Sequence, residues 1–504
     1  MKFILEALKS TSEYKELSSA FKHGKTPAIL NGVTGIHKCA VIYSLFKETG
    51  KKILLLSSEE SESSRFMEDL GAMGLRCVQY PARDFNYRDT AGSSHEYERQ
   101  RLDVLNKLKA GEVDCVLASV DAALQYTIPE ADLEKRCVKL FGGQEIKIEE
   151  VLRYLVLCGY QRDDQIDGTG QFSHRGGIVD FFPPGSDYPV RIEFWGDEID
   201  TISYFDPETQ RRTTSVDEVA ISPSVEVLPE NPKLLAKRIR DHAALLRGKN
   251  APKAREIMNS EADKVAAGIH IGSMDKYISF VYDKPATLLD YFSADNSMMV
   301  VSEGSNQREK MRTTLWQWGE DVKDYLSEGI LCKGLDMFTA DWAYLLSKAE
   351  EIPSLHADTF ARGSYEIPTR TLINMTVKQL SVWGGSTQLL IEDLQSVLYR
   401  KHRCVVLAGT DRTAQTLAED LKKAGIPAGY FDSVTKVNKG TVAVTKGTLS
   451  AGFEIPGAEF TVLTHGRINE VSRKSERKRT VTAKRFTALP NLPLAIMLFT
   501  VPTV

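Results

Sequence analysis

Residues 170–211 read GQFSHRGGIVDFFPPGSDYPVRIEFWGDEIDTISYFDPETQR, and this stretch decides the fold of the middle of the chain. Its β-branched and aromatic runs, at 178–182, 190–195 and 199–205, are separated by turn-forming residues at 183–186 and 196–197. Short runs of this kind between proline, glycine and aspartate predict an antiparallel sheet with tight turns.

The central run, VRIEFW, has two different faces. Successive side chains of a strand point to opposite sides, so Ile192 and Phe194 share one face while Arg191, Glu193 and Trp195 share the other. One interpretation is a half-solvated strand, with Arg191 and Glu193 paired to neighbours and Trp195 capping the core. The other is a docking surface, because arginine and tryptophan are enriched at binding hot spots. The residues alone leave both open.

Composition predicts a multidomain protein. A chain of 504 residues implies three or four domains of ~100–200 residues each. No apolar run reaches the ~18 residues of a membrane span, and the start, MKFILEALKS, does not resemble a signal peptide. Seven cysteines without a C-x-x-C pair predict reduced thiols, a cytoplasmic location and no structural metal. The net charge of -4 argues against nucleic-acid affinity over the whole surface.

Residues 1–127 alternate strands with helices, which predicts a parallel sheet with crossover helices. The turn after the first strand has part of a phosphate-loop pattern, G-x-x-x-x-G-K-[ST], with Gly32, Gly35 and Lys38 present. His37 stands where the pattern has its second glycine, and Cys39 where it has the hydroxyl that ligates magnesium. We therefore interpret this degenerate nucleotide loop as a relic that shapes the turn without binding ATP.

The acidic motif expected of an ATPase is also altered. An apolar strand at 297–301 is followed by Ser302 and Glu303, where such an enzyme would place the Asp-Glu pair that holds magnesium and activates water. Loss of the hydroxyl and of the carboxylate on separate segments argues against ATP hydrolysis. No catalytic residue is predicted.

Composition divides the rest of the chain. Tryptophan and tyrosine at 316, 318, 342 and 344 are spaced as on packed helices, and we interpret them as core. The predicted segments are a β-rich insert at 128–229, a helix-rich part at 230–352, a linker at 353–369, a small doubly wound α/β domain at 370–470, and a basic run with an unpatterned apolar tail at 471–504.

Five motifs carry a resemblance to a known family. They are GVTG at 32–35, YPARDF at 80–85, ASV at 118–120, GQFSxRGGIVDFFPP at 170–184 and FDPETQR at 205–211. They resemble the N-terminal portion of the bacterial transcription-repair coupling factor family (Mfd), whose front end is similar to UvrB, over residues 1 to about 485. The resemblance implies an α/β multidomain chain: a degenerate RecA/UvrB-like α/β domain with a β-rich α+β insert, then a small doubly wound domain.

The resemblance also implies a partner and its contacts. In this family the insert recruits UvrA, and the contact residues fall on Arg175, Arg191 and Trp195. The family commonly has phenylalanine at the last of these, so Trp195 keeps the aromatic character. The docking interpretation of the strand face is thereby favoured, and Glu193 stays unassigned.

Two further departures bear on function. UvrB inserts a long hairpin into damaged DNA, whereas residues 86–94 leave no room for one here. The full-length family continues into a polymerase-binding domain and a translocase, through which RNA polymerase, DNA, ATP and Mg²⁺ are bound. Residues 495–504 can be back-translated so that a shifted frame matches the start of that domain, and we expect a truncated or frameshifted gene product.

The leading hypothesis is a non-catalytic, UvrA-recruiting region acting in transcription-coupled nucleotide excision repair, with no cofactor in this chain. One alternative is an ATP-dependent DNA translocase that displaces stalled RNA polymerase, as the full-length family does. Another is a UvrB-like binder of damaged DNA. The altered nucleotide loop opposes the first alternative, and the missing hairpin opposes the second.

Overall fold

The computed structural model describes residues 1–88 and 95–466, so the predicted basic run, the apolar tail and most of 86–94 lie outside the described residues. The strands are β1 (Ala28–Asn31), β2 (Lys52–Ser57), β3 (Cys77–Tyr80), β4 (Cys115–Ser119), β5 (Val138–Phe141), β6 (Gln161–Arg162), β7 (Gln171–Arg175), β8 (Ile178–Phe181), β9 (Val190–Trp195), β10 (Glu198–Phe205), β11 (Arg212–Ser215), β12 (Glu218–Ile221), β13 (Ser297–Ser302), β14 (Ser354–Asp358), β15 (Thr371–Asn374), β16 (Lys378–Leu380), β17 (Arg403–Leu407), β18 (Ala428–Tyr430), β19 (Val442–Thr445), β20 (Gly452–Ile455) and β21 (Phe460–Thr464).

The helices are α1 (Lys2–Lys9), α2 (Ser12–Lys22), α3 (Gly35–Thr49), α4 (Glu60–Met73), α5 (Glu96–Ala110), α6 (Val120–Leu124), α7 (Glu130–Lys135), α8 (Ile148–Leu157), α9 (Pro232–Leu245), α10 (Ala251–Ala266), α11 (Ile278–Val281), α12 (Gly304–Glu328), α13 (Trp342–Glu351), α14 (Thr387–Tyr399) and α15 (Asp411–Lys423). Among the described residues, no helix has the length and apolar character that crossing a bilayer requires.

A seven-stranded parallel sheet organises the large domain, with strand order β15-β1-β14-β13-β2-β4-β3. Alternate residues of β2 enter two different cores: Leu54 and Leu56 pack with helices α5 to α7 and α9 to α13, and Ile53 and Leu55 with α1 to α4. Both faces of the sheet are therefore covered, as is usual for parallel sheets. The predicted parallel sheet with crossover helices is confirmed.

The predicted linker at 353–369 is wrong. Its first part is β14, whose residues are all buried and which lies between β1 and β13 in the middle of the parallel sheet. The next strand, β15, pairs with β1 of the same sheet rather than with the small domain. A five-residue strand that follows a proline and precedes a glycine-containing segment is too short to stand out from a loop by composition.

The insert is built on a six-stranded sheet of order β11-β10-β9-β8-β7-β6, antiparallel except between β6 and β7. One face carries Val179 and Ile192, which pack against Val151 and Leu155 of helix α8. The strands predicted from residues 170–211 are thus confirmed, and so is their antiparallel pairing.

The small domain differs from the predicted doubly wound arrangement. Helices α14 and α15 both pack in the cluster that holds Cys404 and Val406, on one face of its six-stranded sheet. The alternate residues of the same strand, Val405 and Leu407, pack instead with α1 and α3 of the large domain. The large domain thus covers the face on which a doubly wound domain would have helices of its own.

One predicted core aromatic is exposed. Trp316 is 64% exposed, whereas Trp318, Trp342 and Tyr344 pack partly buried against the main core. Helix α12 is 25 residues long and its buried side includes Met311. Trp316 follows five residues later, about 140° around the helix, and so faces away from that side.

A buried ion network joins the insert to the large domain. The carboxylate of Glu226, just beyond β12, accepts from Arg83 Nε at 2.9 Å and from Arg101 Nε at 2.7 Å. Both Nη atoms of Arg83 donate to Asp275, at 2.9 and 3.0 Å. The arginine of the YPARDF motif therefore ties together the first part of the large domain, the returning chain of the insert and the helix-rich part.

Candidate functional site

The degenerate nucleotide loop lies between β1 and α3 at the carboxyl edge of the parallel sheet. Its first two backbone amides are hydrogen-bonded within the chain. Gly32 and Val33 donate their backbone N–H groups to the Asp358 carbonyl, at 3.0 and 3.3 Å. Gly32 has φ +85°, and a Cβ there would lie 2.2 Å from the Met375 carbonyl oxygen, so only glycine fits. Gly35 begins helix α3, where an added Cβ would meet only an ordinary contact.

Lys38 is paired within the chain. Its ammonium is buried and donates to Ser302 Oγ at 3.0 Å and to Glu303 Oε1 at 2.6 Å. Thr359 donates to the same Glu303 oxygen from its backbone N–H, at 2.9 Å, and from its hydroxyl, at 2.6 Å. Burial alone would raise the pKa of Glu303, but the hydrogen bonds from Lys38 and Thr359 hold it below its ordinary value. The carboxylate therefore neutralises the lysine of the loop.

The two departures from the phosphate-loop pattern are packing residues. The His37 ring meets the Phe453 ring of the small domain edge-on, with 5.5 Å between centroids, and its Nδ1 lies 2.8 Å from Thr34 Oγ1. Burial lowers the pKa of His37 to about 4, so the ring is neutral at pH 7. Cys39 is fully buried in the core shared by the two domains. These side chains serve the domain interface.

The second candidate is the face of the insert sheet opposite helix α8. Strand register places Arg175, Ile178, Glu193 and Thr201 in one row across β7, β8, β9 and β10. A parallel row contains Ser173, Asp180, Arg191 and Ser203. Because directly opposed residues share a face, Arg175, Arg191 and Trp195 all lie on the same side of the sheet. We call this side, which helix α8 does not cover, the open face; its end at Trp195 is exposed, whereas Ser173, Asp180 and Ser203 are buried.

Two tight hairpins set the end of the open face. Arg175 and Ile178 flank the turn Gly176-Gly177, and Trp195 and Glu198 flank the turn at 196–197. Gly176 and Gly196 have φ +60° and +65°, the left-handed conformation that such two-residue turns require. Both turns lie at the same end of the sheet, where Trp195 is 83% exposed. An exposed tryptophan at a rigid hairpin tip is available for contact and does not cap the core.

The charged residues of the open face are paired. Asp180, directly opposite Arg191 on β8, accepts from its Nε and Nη2 at 2.8 Å each. These hydrogen bonds raise the pKa of the Arg191 guanidinium. Glu193 forms an ion pair with Arg212 and accepts from Thr201 Oγ1 at 3.3 Å. The cross-strand pairing expected of a half-solvated strand is therefore present for Arg191 and Glu193, alongside an exposed Trp195.

Sequence reasoning missed the partners that hold these side chains. Asp180 and Arg212 were not singled out, and Arg175 was found only through the family resemblance. The signal for Asp180 was available, since alternation along IVDF puts an aspartate on the same side of β8 as Ile178. Its pairing with Arg191 depends on the register set by residues 182–189, which composition does not fix.

The open face lies within the part of the chain that matches a known family. Residues 138–226 match the family model of the UvrB interaction domain. The transcription-repair-coupling factor of Bacillus subtilis is 27% identical over 500 residues, covering 97% of this chain and 42% of that protein. Those of Staphylococcus epidermidis and Staphylococcus haemolyticus are 24% and 22% identical, each covering 95% of this chain and 41% of theirs. The chain spans about two fifths of the length of the curated relatives it matches. Residues 138–226 are thus similar to a UvrB interaction domain, and nearly the whole chain is similar to part of the transcription-repair-coupling factors.

Proposed function

We propose that this chain is the UvrA-recruiting region of a transcription-repair coupling factor, acting in transcription-coupled nucleotide excision repair. The observation that carries the proposal is the open face, which presents the exposed Trp195 and the mostly buried Arg191 within the residues that match the UvrB interaction domain. Exposed aromatics beside arginine are the residue types that dominate binding energy at interfaces. As the resemblance implies, the full-length family binds RNA polymerase and DNA through its polymerase-binding domain and translocase. For this chain the proposal covers UvrA binding and a cytoplasmic location.

We further propose that the recruitment needs neither ATP nor Mg²⁺. Support comes from the degenerate nucleotide loop, where the lysine is neutralised by Glu303 and His37 packs against Phe453. By resemblance we assign the seven-stranded sheet to the RecA/UvrB-like class, since the loop sits between the first sheet strand and the following helix. ATP hydrolysis by the purified chain that DNA stimulates would contradict the proposed non-catalytic role.

Trp195→Ala is expected to weaken UvrA binding at least tenfold, or about 1.4 kcal/mol, because an exposed hot-spot tryptophan loses its whole contact area. Binding is measured by titration of purified UvrA in the absence of ATP and RNA polymerase. The matched control is Trp316→Ala, which removes another exposed tryptophan from helix α12 and should change the Kd by less than about twofold. Equal Kd values for Trp195→Ala and the unaltered chain would contradict the proposed docking face.

Arg191→Glu is expected to cost at least ~2 kcal/mol of UvrA affinity, because a charge at the centre of the face is reversed. The control is Arg76→Glu, since Arg76 makes a similar two-pronged ion pair with Asp114 on the large domain, at 3.2 and 2.7 Å. Circular dichroism verifies that both variants are folded. A UvrA pull-down by folded Arg191→Glu as strong as that by Arg76→Glu would remove Arg191 from the interface.

A further inference from the structure

The Arg191 guanidinium is held on three sides. Asp180 accepts two hydrogen bonds from its Nε and Nη2, the Gln210 carbonyl accepts one from Nη1 at 3.3 Å, and the Phe205 ring lies beneath, 4.5 Å from the guanidinium carbon. Asp180 and Arg191 have only 10% and 17% of their side-chain surface exposed. A long side chain that is fixed in this way loses little further conformational freedom when a partner binds.

The FDPETQR motif supplies two of these three supports. Asp206 Oδ1 accepts from the backbone N–H groups of Glu208 and Thr209, at 3.0 and 2.7 Å, and thereby closes a tight turn. Gln210 follows with φ +59°, a left-handed conformation that turns the chain back toward β9. The motif thus places an aromatic ring under Arg191 and a carbonyl beside it.

The remaining donors define what the guanidinium can bind. Of the five N–H groups of an arginine, Asp180 takes two and Gln210 one. One N–H is left on each Nη atom, and two such donors on one planar group suit the two oxygens of a carboxylate. Trp195, four residues along the same strand and about 13 Å away, offers a separate apolar contact at the exposed end of the face.

We propose that Asp180 is a positioning residue, which together with Phe205 and the 206–211 turn fixes Arg191 so that it receives a carboxylate of UvrA. This inference rests on the proposed function, because it specifies how the same open face recognises its partner. It predicts that Asp180 contributes to binding only through Arg191.

The test is a double-mutant cycle in UvrA affinity. Asp180→Asn replaces one acceptor oxygen by an NH₂ group that faces the guanidinium, and it is expected to raise the Kd about tenfold. The same tenfold change is expected in a Trp195→Ala background, but less than about twofold in an Arg191→Ala background, where nothing remains to be positioned. The control is Asp200→Asn, an exposed residue of β10, which should leave the Kd unchanged.

The outcomes separate the two proposals. If Arg191→Ala and Trp195→Ala both leave the Kd unchanged, the proposed function itself is contradicted. If they weaken binding while Asp180→Asn does not, or if Asp180→Asn weakens it equally without Arg191, the positioning role is overturned. Should Asp180→Asn fail to fold, Phe205→Leu removes the supporting ring and is expected to weaken binding about threefold only when Arg191 is present.

Discussion

Replacing Glu226 by glutamine is expected to lower the free energy of unfolding by about 3–5 kcal/mol, because the change breaks a buried ion network instead of replacing it as a whole. Glu226 is fully buried between Arg83 and Arg101, which are themselves 4% and 0% exposed. The amide keeps the shape of the side chain but removes the charge that both guanidinium groups face. Arg101 then retains only neutral acceptors, chiefly the Gln125 side chain at 2.7 Å.

Urea unfolding followed by circular dichroism measures the effect. The matched control is Glu230→Gln, four residues further on, whose carboxylate is 67% exposed and lies 3.5 Å from Lys135. A surface pair of that kind contributes about 0–1 kcal/mol, so the control should unfold almost like the unaltered chain. A loss below about 1 kcal/mol for Glu226→Gln would show that the arginines find other partners or water.

The strands of the insert could be predicted from sequence because their signals are local. Alternation along VRIEFW and the glycine-containing turns on either side fix which side chains share a face, and the structure confirms that assignment. Helix ends also have local signals: Gly50, Gly74 and Gly111 close α3, α4 and α5 in the left-handed conformation.

The features that could not be predicted depend on residues far apart in the chain. The burial of β14 follows from its pairing with β1 and β13, and no local pattern distinguishes it from a linker. His37 could be recognised as a departure from a phosphate loop, but its contact with Phe453 joins residues more than 400 positions apart. The same limit applies to Asp180, whose role depends on strand register.

The structure gives a physical reason why the degenerate nucleotide loop is stable without a ligand. In a working loop the lysine neutralises phosphate, whereas here the carboxylate of Glu303 receives both Lys38 and Thr359. Glu303 adopts φ +52°, a conformation that costs a non-glycine residue about 1–3 kcal/mol. The charge-assisted hydrogen bonds that Glu303 accepts from Lys38 and Thr359 offset this strain, so the carboxylate takes the place of the anion that would otherwise neutralise Lys38.

Glu303→Gln is accordingly expected to lower the free energy of unfolding by about 3 kcal/mol, because it removes the carboxylate that the buried ammonium of Lys38 contacts directly. Lys38→Met should cost less, since Glu303 is 19% exposed and keeps its hydrogen bonds from Thr359, whereas Lys38 is only 3% exposed. The double variant Lys38→Met/Glu303→Gln should recover most of the unfolding free energy that Glu303→Gln loses. Glu309→Gln, on the exposed side of helix α12, which Glu303 immediately precedes, serves as the control.

At acid pH the difference in unfolding free energy between Glu303→Gln and the unaltered chain should disappear. The pKa of Glu303 is lowered in the folded state, so its contribution is present above the unfolded-state pKa of about 4.3 and is lost as the pH falls toward the folded value. Protonated Glu303, like the amide side chain of the Glu303→Gln variant, has no negative charge to face Lys38. The unfolding free energies of the two proteins therefore converge. If the difference in unfolding free energy stayed constant from pH 7 to pH 3, the carboxylate would not be the counter-charge of Lys38. The same conclusion would follow if the losses of Lys38→Met and Glu303→Gln simply added in the double variant.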